Sequence, residues 1–191
     1  MAKLAPLLAF TLDREGGYQC ARSDGGNWTG GRPGWGRLVG TNRGISAPVL
    51  LARCRRLNND HTLMISAADM RALSEAEADA IYVDEYATPL AAVLLPAGAD
   101  LVLFDGAVQH GVAATAELAQ GVVGAAQDGD IGPATRAAID AHGVPRFIDD
   151  FTAAFETMLR GCALFAVDGR GWLARNTLRQ AVAHAMWANS Q

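Results

Sequence analysis

Ten glycines fall within residues 16–44, and no other stretch of this 191-residue chain is so poorly suited to regular secondary structure. A segment so rich in glycine loses much conformational entropy on folding into a helix, and it lacks the alternating apolar positions of a half-buried strand. It also holds Trp28, Pro33 and Trp35. The reading is a long structured loop, or a small β region, over residues 16–44. Connections of that length inside a compact domain are usually functional.

On both sides of this segment the pattern turns helical. Leu4, Leu7, Leu8, Thr11 and Leu12 recur at spacings of three and four, which predicts a first helix stopping near Glu15, where Gly16-Gly17 follow. Ser46 ahead of Ala47-Pro48 marks a helix start, and Ser66 with Asp69, then Ser74 with Glu77, have capping-box spacing. Further on, residues 101–110 and 115–123 read as helices broken at Gly111, and Gly132-Pro133 opens another running to Ala141. Phe147, Phe151, Phe155, Met158, Cys162 and Phe165 form the stripe of a core-facing helix, and a last helix follows Trp172, itself assigned to the core. With 50% hydrophobic residues and few period-two runs, the expected class is mainly α, as two helical lobes. The punctuation by Pro89, Pro96 and Gly98 puts their boundary near residues 96–99, giving lobes 1–97 and 98–191 packed against each other.

Three cysteines without paired spacing indicate neither a disulfide framework nor a zinc site. A formal net charge of -4 and the lack of a basic run exclude general nucleic-acid binding. The apolar stretch of residues 4–12 is broken by Pro6, so neither a signal peptide nor membrane insertion is expected.

Two carboxylates stand out. Glu15, at the expected carboxyl end of the first helix and close to Tyr18, would be held protonated by the negative helix pole and by desolvation. Asp24, in the solvated loop, would stay ionised. Acids pushed apart in this way suit general acid chemistry at a glycosidic bond.

Glu15-Gly16-Gly17-Tyr18, then Asp24-Gly25-Gly26, then Gly40-Thr41-Asn42-Arg43-Gly44-Ile45-Ser46 resemble, in order, the signature of glycoside hydrolase family 108. The resemblance implies a lysozyme-like N-acetylmuramidase in which Glu15 is the general acid and Asp24, with a threonine, steadies the positive transition state or orients a water. Its Glu, Asp, Thr order is similar to that of phage-type lysozymes, which implies an inverting displacement. The chain departs from the pattern in lacking a proline after Asp24, in having Ser46 for threonine, and in an insertion over residues 28–39. Thr29 therefore has the family's spacing from Glu15 while Thr41 has its flanking residues, and both stay candidates.

A second block, Leu103-Phe104-Asp105-Gly106-Ala107-Val108-Gln109-His110-Gly111 followed by Asp128-Gly129-Asp130-Ile131-Gly132-Pro133-Ala134-Thr135, resembles the peptidoglycan-binding module that accompanies the family. Together the blocks make residues 1–97 the catalytic lobe and 98–191 the glycan-binding lobe. Substrate contacts are then expected from Tyr18, Trp28, Trp35, Asn42, Asp105, Gln109 and His110, with Tyr82 a further aromatic that could stack on a sugar. The partner implied is the peptidoglycan glycan strand, with no metal and no cofactor. Synthesis in a bacterial cytoplasm and action in the periplasm or cell wall would require holin-dependent export or, for a secreted antibacterial effector, an immunity protein. A non-catalytic wall-binding protein on the same fold is the alternative.

Overall fold

The computed structural model describes residues 3–13 and 16–191, and these are mainly α-helical with almost no strand. Nine α-helices occur among them: α1 (Ala5–Leu12), α2 (Ala47–Asn58), α3 (Ala67–Ala72), α4 (Glu75–Tyr82), α5 (Ala99–His110), α6 (Val112–Val123), α7 (Pro133–His142), α8 (Val144–Arg160) and α9 (Phe165–Ala188). The chain forms two compact units, one of Leu8–Tyr82 and one of Val83–Gln191 joined by the residues up to Leu7.

In the Leu8–Tyr82 unit the local signals act as expected. Ser66 accepts from the Asp69 backbone while the Asp69 carboxylate accepts from Ser66 N–H at 2.7 Å, so two orphan donors at the start of α3 are satisfied reciprocally. Ser74 and Glu77 repeat the arrangement ahead of α4, with Ser74 N–H donating to Glu77 at 2.9 Å. These bonds hold the carboxyls of Asp69 and Glu77 below the usual range. Ile45, Leu50, Leu51, Ile65, Met70, Leu73, Ile81 and Tyr82 are buried.

The second unit is organised on α5, which is buried continuously from Ala99 to Ala107 and touches α6, α8 and α9. Gly106 permits this, because a Cβ there would meet Phe155 and Thr115 at 3.2 Å each. The π-helical turn Val83–Ala87 and the 3₁₀ turn Ala92–Leu94 also pack on α5. For that reason the compact units part at Tyr82, ahead of the residues 96–99 suggested by punctuation alone. Phe147, Phe151, Phe155 and Leu159 bury the α8 stripe, but the helix ends at Arg160 and Phe165 opens α9. Trp172 therefore lies inside α9 instead of preceding it, and it is half-buried, not core.

Candidate active site

The glycine-rich segment is an irregular loop pinned by isolated antiparallel bridges, Gln19 with Thr41, Trp28 with Leu38 and Asn42 with Ile45, and by one 3₁₀ turn, Gly25–Asn27. Asp24 caps that turn: one carboxylate oxygen accepts from Gly26 N–H at 2.8 Å and the other from the Gln19 amide at 2.8 Å. The Asp-Gly-Gly sequence is needed sterically. A Cβ on Gly25 would sit 2.7 Å from Gly31 O, and one on Gly26 would sit 3.3 Å from Asp24 Oδ1 and 3.6 Å from Thr41 Oγ1. Asp24 and the Thr41 hydroxyl thus face the same small residue. Thr29 is occupied elsewhere, its hydroxyl accepting from Arg37 N–H at 2.9 Å to hold the loop closed.

Tyr18 and Asn42 line a cleft of about 540 Å³ within this unit, together with Leu12, Asp13, Gly16, Gly17, Arg43, Arg71, Leu73, Glu75 and Ala78. Its volume is that of a small-molecule site, about 300–1,000 Å³. Glu15 lies outside the described residues, while Asp13, Gly16 and Gly17 on either side of it are part of the wall. Tyr18 donates its hydroxyl to Val39 O at 3.2 Å, and the Arg71 guanidinium covers its ring at 4.3 Å, so the ring face meets a cation rather than an apolar neighbour. Its phenol is held above the ordinary range, first by hydrogen bonding with Cys20 and then by burial. Gly40 (φ +91°) is what lets the tyrosine lie there, since a Cβ would come within 2.6 Å of the ring and of Gln19 O. Asn42 is buried and donates to Met70 O at 2.9 Å, which ties the loop to α3.

The remaining expected contacts are not among the residues that line this cleft. Trp28 is half-buried with its indole N–H on Arg22 O at 3.0 Å, whereas Trp35 is 62% exposed with Arg32 over its ring. Tyr82 is buried and donates to Arg43 O at 3.0 Å, so it does not offer a face to sugar. Asp105 is fully buried, salt-bridged to Arg175 at 2.6 Å and Arg179 at 3.5 Å, and accepts from Gln109 at 2.9 Å. A carboxylate so enclosed serves α5 and α9 rather than a ligand. Burial lowers Arg179 to about 10, with Asp105 opposing, so it remains a cation at neutral pH. His110, edge-on to Phe155 and Trp172, has its pKa lowered by burial and then by Arg179. The Asp128 to Thr135 block folds about the buried Gln120, which donates to Asp128 at 2.6 Å and Asp130 O at 2.9 Å and accepts from Gly129 N–H at 3.0 Å.

Sequence reasoning passed over Arg43, Arg71, Glu75 and Gln19. Arg43 sits inside the quoted motif, but nothing in the sequence around Arg71 marks it, because only the fold brings α3 to the loop. No group of three potential metal ligands occurs among the described residues, and none of their helices is long and apolar enough to cross a membrane.

Comparison with known proteins bears on this geometry. The chain is similar to a solved structure, "Structure of Brucella abortus SagA", which is 31% identical; the match covers 97% of this chain and 94% of that one, with a TM-score of 0.77. No curated protein matches. The family model for glycosyl hydrolase 108 matches residues 8–111, a span that includes the whole glycine-rich loop and the cleft beside it. By that match the chain belongs to glycosyl hydrolase family 108.

Proposed function

We propose that this chain is a peptidoglycan hydrolase of the N-acetylmuramidase type, cleaving the β-1,4 bond between N-acetylmuramic acid and N-acetylglucosamine. Glu15 donates the proton to the leaving oxygen. Asp24, with Thr41, steadies the oxocarbenium-like transition state or orients the attacking water. The observation that carries the reading is the cleft in the family-matched segment, whose wall includes Asp13, Gly16 and Gly17. Thr41 is preferred to Thr29 because it faces Gly26 beside Asp24, whereas Thr29 is bound to the loop backbone.

For residues 98–191 a glycan-binding role rests on the resemblance, since the quoted motif residues there are absorbed by internal hydrogen bonds. Action on this polymer places the working protein in the periplasm or cell wall, reached through a holin or a secretion route.

The decisive variant is Glu15→Gln. Removing general acid catalysis costs about 10²- to 10⁴-fold, so murein suspensions should no longer clear. Mass spectrometry of the digest should show new reducing muramic acid ends. A folded Glu15→Gln protein that clears murein at the wild-type rate, or reducing glucosamine ends in the wild-type digest, would sink the assignment.

A further inference from the structure

We propose that Arg43 and Arg71 form a subsite for a carboxylate carried by the glycan strand. The substrate in this proposal comes from the muramidase reading; the two arginines do not depend on it. Both line the cleft of the Leu8–Tyr82 unit.

Their placement is built, not incidental. Asn42 Nδ2 reaches Met70 O at 2.9 Å and Arg71 O at 3.5 Å, which draws the loop against the end of α3. Asn42 and Ile45 exchange backbone hydrogen bonds of 3.2 and 2.8 Å around Arg43 (φ +50°) and Gly44 (φ +73°), a two-residue turn with both central residues left-handed. Such turns favour Asn, Asp or Gly, so an arginine at the first position carries backbone strain of the kind that collects at ligand sites. Tyr82 fixes that residue by donating to Arg43 O at 3.0 Å, and Arg43 Nε donates to Leu73 O at 3.3 Å, two bonds that use neither of its terminal nitrogens.

The Arg71 guanidinium lies over the Tyr18 ring at 4.3 Å, a cation–π contact that uses none of its N–H donors. Its Nη1 reaches only Ala67 O, at 3.5 Å, and it has no carboxylate partner among the described residues. Glu75 lies 3.7 Å from Arg43, with both side chains exposed, an ion pair that an incoming anion can displace. Asp13 and Glu75 offset the charge of the two arginines in the same wall, so the cleft has no positive excess for a multiply charged anion and fits a single carboxylate on a polymer anchored elsewhere in the cleft. The planar fork of arginine is suited to that group.

On a peptidoglycan strand the carboxylate has two sources: the lactyl group of muramic acid, free only where the peptide stem has been removed, and the stem peptide itself. Three substrates separate them: intact murein, strands stripped of peptide by an amidase, and stripped strands whose carboxyls have been reduced to alcohols. In Arg71→Met, KM on the recognised substrate should rise about tenfold with kcat nearly unchanged, the size expected for losing a charged hydrogen bond. Arg71→Lys should be intermediate. A loss on stripped but not on reduced strands identifies the lactyl carboxylate, and a loss on intact murein alone identifies the stem. Equal losses on all three substrates, or none, overturn the subsite. Should the wild type release no reducing ends at all, the muramidase reading fails separately. Cosedimentation of Glu15→Gln and of Glu15→Gln with Arg71→Met on stripped and reduced strands then decides the subsite: weaker binding of the double variant to carboxylate-bearing strands alone supports it, and indifference to the carboxyls overturns it.

Discussion

Asp100 is a carboxylic acid at the start of α5 with 1% of its surface exposed. It accepts from Gly98 and Leu101 N–H, at 2.8 Å each, which favours the charged form, but burial dominates and raises its pKa from 3.8 to about 6. The folded state therefore holds more protons than the unfolded state between these values. The contribution is greatest below pH 4 and is lost as pH rises through 6, a gap worth about 3 kcal/mol from this one group. Asp100→Asn keeps the acceptor oxygen and removes the titration. Its stability relative to wild type, from urea unfolding, should rise by roughly that amount between pH 4 and 7; a flat difference would mean the carboxyl titrates normally.

At the scale of elements, Asp105 joins α5 to α9 through Arg175 and Arg179. Asp105→Ala leaves two guanidinium groups without their buried counter-ion and should destabilise by about 3–5 kcal/mol in chemical denaturation. Glycan affinity of the folded fraction should stay unchanged, since this carboxylate has no exposed surface. The motif around Asp105 was visible in the sequence, but a buried ion pair and a ligand contact use the same residue type, and the partners stand 70 and 74 positions away. Short-range signals read better. The breaks at Gly111 and before Pro133, and the boxes at Ser66 and Ser74, depend on neighbours within a few residues. The Asp24-Gly25-Gly26 turn was legible for the same reason. Arg71, Gln120 and the parting of the units at Tyr82 were not, because each is defined by packing between distant segments.

For the whole molecule, 16 basic against 20 acidic residues give -4, so the proposed anionic polymer approaches a surface of like sign. The Debye length falls from about 30 Å at 0.01 M to about 8 Å at 0.15 M salt, which screens that repulsion while leaving close arginine contacts less affected. Initial clearing rates at low murein concentration should rise a few-fold over this range, measured by turbidity in sodium chloride. A steady decline with salt would instead mean that local attraction at the cleft governs encounter.

Of the four tryptophans, Trp28, Trp172 and Trp187 are half-buried and Trp35 stands 62% open at the turn of the glycine-rich loop. The protein thus carries its own optical label. Iodide should extinguish the red edge of the emission first, and a polysaccharide that shelters this loop would slow the quenching, reporting engagement without any dye.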